Sequence, residues 1–434
     1  MGKYFGTDGI RGKAYEYLSV DLGFAVGRSL SLLGNNLLII ATDTRESGPA
    51  LKKAIKDGAK ASGINVIDLE IQPTPVLCYL SKIKNAIGVM ITASHNPYQD
   101  NGFKVFLSGR KLTLEEEAII ENCLDGILSP LTQDVSGREL SSISSLSFYR
   151  ALFSSFIEQT NLSIALDLAH GATCATAREV FRLQTSKLFV VGDAPNGLNI
   201  NHDVGSTNPE SLQKLIKSCG SDIGFAFDGD GDRVIAGDHD GMIYDGDLLI
   251  YVIANHLHEQ GRLVNDSVVL TRMSNLGIIK ALKHHGIESV IVDVGDKNVL
   301  DMMNVGGYVL GGENSGHIIN KLLLDTGDGV LNAAFVTHIL HKTGKTLKEL
   351  TSDVTMYPDI LYNLRGVDKS LAKHPQVSAI VNIIKNELKN DGKVFVRPSG
   401  TEPLIRIAVS APSQSVCEDA VRRITETILS LQKQ

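Results

Sequence analysis

Short apolar runs rich in Ile and Val recur along the chain, and each gives way to a polar loop that a helix-like stretch often follows. Residues 37–41 lead into Thr42-Asp43-Thr44-Arg45-Glu46-Ser47-Gly48. Pro49 there suits a first helical position, 50–61 continues as a helix, and 63–69 reads as the next strand. Runs at 86–91, 163–166, 223–227, 289–294 and 393–396 end in the same way, at 92–97, 167–171, 228–233, 295–298 and 397–403. The run 248–254, bounded by Asp247 and Asn255, reads as a buried strand or helix segment. Strands alternating with helices predict α/β layers over a largely parallel or mixed sheet. Ligands bind such sheets at the carboxyl ends of strands, which is where the unusual loops fall.

A chain of 434 residues is too long for one core. The Ser- and Gly-rich stretch 123–146 is expected to close a first unit near 150, and the Gly- and Asp-rich stretch 238–247 a second. Residues 342–355 read as a linker, giving expected units 1–150, 151–247, 248–352 and 353–434. Apolar residues make up 43% and charged residues 21%, the proportions of an ordinary globular protein. No apolar run approaches the ~20 residues of a membrane helix. The first residues lack the apolar core of a signal peptide, and Gly6 stands where myristoylation wants Ser or Thr. Five cysteines are scattered without a C-x-x-C pair, which argues against a zinc site or disulfide framework and fits a cytoplasmic location. The formal net charge of −7 argues against nucleic acid or an anionic membrane as partner. A small anionic substrate then needs basic groups gathered in one cleft.

Asp228-Gly229-Asp230-Gly231-Asp232-Arg233 sets three carboxylates at alternate positions, where glycines let their oxygens wrap one hard cation. An EF-hand is excluded, because its sixth and twelfth positions would be Arg233 and His239. The other reading is a solvated acidic turn, which leaves three adjacent like charges without an offsetting cation. Ser94, in Thr92-Ala93-Ser94-His95-Asn96-Pro97, lacks the flanking glycines of a hydrolase elbow. It reads either as a turn residue or as a carrier of a phosphoryl group that a metal at the acidic loop would bind. Arg397-Pro398-Ser399-Gly400-Thr401-Glu402-Pro403, with Arg406 close by, offers backbone N–H groups, hydroxyls and a guanidinium to an anion, or is a plain turn. Gly311-Gly312-Glu313-Asn314-Ser315-Gly316-His317 gathers acceptors and donors suited to sugar hydroxyls; His317 alone reads as a structural residue.

Five motifs in one order, T-D-G-I-R-G at 7–12, T-A-S-H-N-P at 92–97, D-G-D-G-D-R at 228–233, G-G-E-N-S-G-H at 311–317 and R-P-S-G-T-E-P at 397–403, resemble the α-D-phosphohexomutase family over essentially the whole chain. The resemblance implies an α/β protein of three similar domains with mixed sheets plus a C-terminal α+β domain around a central cleft. It implies that Ser94 is phosphorylated and completes the shell of one Mg²⁺ with Asp228, Asp230 and Asp232. By the same resemblance Arg11 and His95 stabilise the transferring phosphoryl group, and Lys104 is the general base with His317 as second candidate. Glu313 and Ser315 would grip the sugar, with Asn314 and Arg233 beside them, and Arg397, Ser399, Gly400, Thr401 and Arg406 would hold the phosphate that is not reacting. A sugar 1,6-bisphosphate is the implied intermediate and activator.

The opening G-K-Y-F-G-T-D-G-I-R-G and the V-G-D run at 294–296 are most similar to family members that isomerise glucosamine 6-phosphate to glucosamine 1-phosphate, a step towards UDP-N-acetylglucosamine and peptidoglycan. Glucose or mannose phosphates are the alternative substrates, a metal-dependent sugar phosphatase the alternative reaction, and a phosphosugar-binding regulator the alternative class. A phosphosugar is the one implied partner, and monomer and dimer both stay open. Asn314 stands where the family usually has Gln, Lys297-Asn298 where Arg-Tyr is usual, and Ala41 where Gly or a basic residue is usual. The first two positions bear on substrate preference.

Overall fold

The computed structural model describes residues 2–6, 8–131, 136–141, 147, 151–154, 156–389, 391–399 and 404–432. They form two compact units, Met1–Arg272 with Val290–Thr351, and Met273–Ser289 with Ser352–Gln434. Each is described by itself.

One strand order occurs three times. In the first sheet Asp100–Leu107, Ile87–Ile91, Leu37–Thr42 and Asn65–Ile71 lie side by side. The second repeats this with Val234–Asp238, Ile223–Phe227, Ile164–Asp167 and Leu188–Val191, and the third with Ile318–Asn320, Leu310–Gly312, Ser267–Thr271 and Glu288–Val292. The first strand of each set is antiparallel to the second. The second and third strands are parallel. The expected three similar mixed-sheet domains are therefore present. Each delivers its chemical loop between a central parallel strand and the antiparallel strand that returns beside it.

The central strands are buried on both faces, so they read as unbroken apolar runs. All five residues of Ile87–Ile91 and of Ile223–Phe227 are buried. Helix Gly48–Ala61 takes Pro49 in its first turn and buries Leu51, Ala54, Ile55, Gly58 and Ala59, one face of a 3.6-residue period. A Thr113/Glu116 capping box starts helix Leu114–Leu124. Strand Ile10–Lys13 extends the first sheet along Asp100–Leu107 and carries Arg11 beside Gly102.

The run 248–254 lies inside helix Gly246–Glu259, which settles its open reading. Asp245 caps that helix by accepting from the Leu248 N–H, and its burial nearly all round explains why no amphipathic period showed. The strand expected at 289–294 lies two residues earlier at its end, as Glu288–Val292. Residues 342–355 hold the end of helix Gly329–Thr343 and the short helix Leu347–Leu350.

In the second unit strands Asp359–Arg365, Leu404–Ser410 and Lys393–Pro398 form an antiparallel sheet. Helices Pro375–Leu388 and Gln414–Gln432 bury Val377, Ile384, Cys417, Ile424 and Ile428 in its core, the expected α+β arrangement. Among the described residues no helix is long and apolar enough to cross a membrane.

Candidate active site

The strand Ile87–Ile91 is followed by Thr92, whose hydroxyl donates to Asp43 Oδ2 (2.6 Å) and accepts from the Ser94 N–H (2.8 Å). Ser94 itself sits at φ 53°, in the left-handed region that a non-glycine residue occupies only when its surroundings hold it there. Its hydroxyl is buried, donates to Asp228 Oδ2 at 2.6 Å and lies 3.3 Å from His95 Nδ1. Burial first, then the cations Arg233 and Arg11, push the His95 imidazolium down to about 4, so the ring is neutral at pH 7.

Asp228, Asp230 and Asp232 follow the strand Ile223–Phe227 and are all buried. One oxygen from each lies within 4.8 Å of the others. Two glycines make this packing possible. Gly231 has φ +74°, and a Cβ on Gly229 would stand 2.5 Å from the Ser94 carbonyl oxygen, so only glycine lets the two loops touch. Thr74 holds Asp230 twice, through its hydroxyl to Oδ2 (2.5 Å) and its N–H to the carbonyl (2.9 Å).

Lys104 Nζ lies 2.8 Å from Asp230, 3.0 Å from Asp232 and 3.1 Å from Asp8. Burial would lower this ammonium, but the three carboxylates outweigh it and hold Lys104 well above its usual range. Burial would likewise raise Asp232, yet Lys104 and then His317 hold it far below. Asp228 goes the other way: burial, then the like charges of Asp232 and Asp230, push it well up. Asp230 Oδ1 is buried and meets no donor among the described residues. Three clustered carboxylates, one forced towards its neutral form and one with an unused oxygen, fit a hard divalent cation that would serve both needs.

The third loop brings Glu313 and His317 to the same place. Glu313 Oε1 accepts from the Gly295 N–H (2.9 Å). The Asn314 side chain is exposed, while Ser315 Oγ is buried and meets no partner among the described residues. His317 lies 3.8 Å from Asp232 and 3.9 Å from Asp296. Burial would lower its imidazolium, but Asp232, Asp296 and Glu313 raise it. Lys111 bridges Asp296 (2.5 Å) to Asp8 (2.7 Å), and Asp8 pairs with Arg11. Arg233 donates its backbone N–H to Asp228 Oδ1 (3.2 Å). The structure thus brings Arg11, Ser94, His95, Lys104, the aspartates, Arg233, Glu313 and His317 into one connected cluster.

Arg397, Ser399 and Arg406 belong to the second unit. Arg397 and Arg406 stand directly opposite on antiparallel strands, which places two guanidinium groups side by side. Lys369 Nζ donates to the Ser399 carbonyl (3.0 Å), and the Ser399 N–H bonds Leu404 O (2.9 Å) across the loop base. Gly400 and Thr401, like Thr7, lie outside the described residues.

Sequence reasoning gave no role to Asp8, Arg45, Thr74, Lys111, Asn201 or Lys369. Asp8 and Arg45 lay within loops already singled out, Asp8 three residues before the chosen Arg11 and Arg45 in an unused D-T-R run. Thr74 and Asn201 carried no local signal, because their partners lie more than a hundred residues away.

The geometry has a family. Sequence models of the phosphoglucomutase/phosphomannomutase family match as α/β/α domain I at 2–129, domain II at 143–241, domain III at 245–357 and the C-terminal domain at 361–427. The chain belongs to this family, the α-D-phosphohexomutases. Phosphoglucosamine mutases of Bacillus cereus and Bacillus anthracis are each 45% identical to it, with 99% of this chain and 98% of theirs covered. A phosphoglucomutase/phosphomannomutase family protein of Burkholderia thailandensis has the same fold, with TM-score 0.81, 22% identity and 98% and 97% coverage. So does an Aspergillus fumigatus N-acetylphosphoglucosamine mutase solved with GlcNAc-6P and magnesium, with TM-score 0.68, 20% identity and 100% and 96% coverage.

Proposed function

We propose that the protein is a cytoplasmic enzyme that interconverts glucosamine 6-phosphate and glucosamine 1-phosphate, with Ser94 as the phosphoryl carrier. The Ser94 hydroxyl, 2.6 Å from Asp228 at the meeting of two loops, is the observation that carries the chemistry. The substrate rests on the relatives named phosphoglucosamine mutase along nearly their whole length.

Asp228, Asp230 and Asp232 would hold one Mg²⁺ together with the phosphate on Ser94; such an ion neutralises charge on a transferring phosphoryl group. In the forward step the sugar O1 forms a bond to phosphorus as the bond to Ser94 Oγ breaks, leaving a 1,6-bisphosphate. The bisphosphate turns over, Ser94 Oγ loses its proton and bonds the phosphorus on O6 as the bond to O6 breaks, O6 takes a proton, and the 1-phosphate leaves. Arg11 and Lys104 offset negative charge as the group passes between oxygens. Neutral His95 is placed to hydrogen-bond Ser94 Oγ. Carboxylates hold Lys104 well above its usual range and raise His317 against the effect of burial, and either accepts the proton of the attacking hydroxyl only from its deprotonated form. Glu313 and Ser315 grip the sugar, with Asn314 and Arg233 at its edge. Arg397, Ser399, Gly400, Thr401 and Arg406 take the idle phosphate at either end.

The test compares turnover of glucosamine, glucose and mannose 6-phosphates with Mg²⁺ and a trace of the matching bisphosphate, against Ser94→Ala. A preference for the amino sugar, lost in the variant, is expected. Isomerisation of glucose or mannose phosphate alone would overturn the substrate, and release of inorganic phosphate without isomerisation would overturn the reaction.

A further inference from the structure

Four carbonyl groups in and just after the serine loop point at one buried cation. Arg45 is 1% exposed, and its Nε pairs with Asp43 at 2.9 Å. Nη2 donates to the carbonyls of Ser94 (2.9 Å) and Asn96 (2.8 Å). Nη1 donates to those of Asp100 (2.9 Å) and Pro97. One guanidinium thus holds four carbonyls spread over seven residues, a span that its rigid fork can make and a lysine's single point of charge cannot. From the second α/β domain Asn201 Nδ2 donates to two of the same oxygens, Ser94 (2.9 Å) and Asn96 (3.1 Å). Asn201 is itself fixed, with its N–H on the Ala169 carbonyl (2.9 Å) and its carbonyl taking the Asn208 side chain (3.1 Å).

These contacts exceed what a surface turn needs. Ser94 is held at a positive φ, and one of the two carbonyls that Arg45 and Asn201 share is its own. That same oxygen faces the spot where Gly229 lets the aspartate loop come close. A change of the Ser94 backbone angles would therefore break both hydrogen bonds to its carbonyl and turn Oγ away from Asp228. Phosphoryl transfer depends on in-line placement, and a displacement of about 1 Å can cost on the order of 100-fold in rate.

We propose that Arg45 and Asn201 are positioning residues that lock the Ser94 backbone, so that Oγ keeps its aim at the aspartate loop both with and without its phosphate. The inference rests on Ser94 being the phosphoryl carrier. Both side chains spend their hydrogen bonds on Asp43 and the carbonyls of residues 94–100. Their loss leaves the sugar and phosphate contacts intact and misplaces only the group in transfer. A phosphoserine held off its line reacts with water in competition with the sugar: water's oxygen bonds phosphorus, Oγ leaves and takes a proton, and inorganic phosphate is released.

The experiment uses full-length Arg45→Lys, Asn201→Ala and Asn201→Asp with glucosamine 6-phosphate, Mg²⁺ and the bisphosphate. It reads kcat, KM, melting temperature and the ratio of inorganic phosphate released to sugar isomerised. The expected result is a fall of about 10- to 100-fold in kcat with KM nearly unchanged, and a raised ratio of release to isomerisation. Asn201→Asp, which sets a carboxylate against two carbonyls, falls furthest of the Asn201 pair. Should Arg45→Lys fail to fold, the Asn201 variants decide. Folded variants with the parent kcat and ratio would overturn the proposal, as would a parallel loss of kcat, KM and melting temperature. A Ser94→Ala enzyme that still isomerises would sink the carrier reading instead, and so separates the two failures.

Discussion

Residues 92–97 and 228–233 leave equivalent strands, Ile87–Ile91 and Ile223–Phe227, and return along equivalent antiparallel neighbours. The first loop has a strained, neutral backbone gripped through its carbonyls by a cation buried beneath it. The second has a glycine-relaxed backbone whose charge sits in its side chains, offset from the first domain by Lys104 and hydrogen-bonded by Thr74. One topology therefore supplies two kinds of rigidity. A loop that carries a transferable group needs its backbone fixed, whereas a loop that binds a cation needs its carboxylates converged and their repulsion offset.

Removing the transferable group breaks the comparison most completely: Ser94→Ala is expected to abolish isomerisation while leaving the aspartate cluster able to bind cation, checked by turnover alongside a Mg²⁺ titration. The converse change, Asp230→Asn, is expected to weaken Mg²⁺ dependence by about 10–100-fold or more with the serine loop unaltered, read from activity against Mg²⁺ concentration. An unchanged dependence would remove the metal assignment. Lys104→Met separates charge offset from catalysis. It strands buried carboxylates and is expected to cost about 3–5 kcal/mol in melting experiments without Mg²⁺. Added Mg²⁺ should recover part of that loss, because a bound cation replaces the missing one; equal destabilisation with and without Mg²⁺ would contradict this.

A site remote from both loops gives the smallest effect and serves as control. Burial would raise the Asp68 carboxyl, but Lys56 and Lys52 at 2.8 and 2.9 Å lower it. A carboxyl lowered on folding adds stability above its unfolded value of about 3.9 and loses it as pH falls through the folded value. Asp68→Asn should therefore cost up to about 1 kcal/mol at neutral pH, shrinking below pH 4, with kcat unchanged.

Much of this was legible in the chain. The unbroken apolar runs placed the central strands, because buried parallel strands need no alternation. The loops after them announced themselves through residues that a plain turn does not require: three alternating aspartates, Ser94 beside His95, and Arg397 before Ser-Gly-Thr. Helix Gly246–Glu259 stayed ambiguous, since a helix buried nearly all round shows no period.

The sequence by itself determined which residue types were present, in what order, and at which strand ends, and this sufficed for the fold class and the family. Only the tertiary structure decided that Ser94 faces Asp228, that Lys104 is tied to three carboxylates, and that Arg45 and Asn201 share the Ser94 carbonyl. Those pairs are separated by 49 to 134 residues. Local patterning reports what one segment buries, whereas the direction of a hydrogen bond or the protonation of a buried group depends on every charge the fold brings beside it.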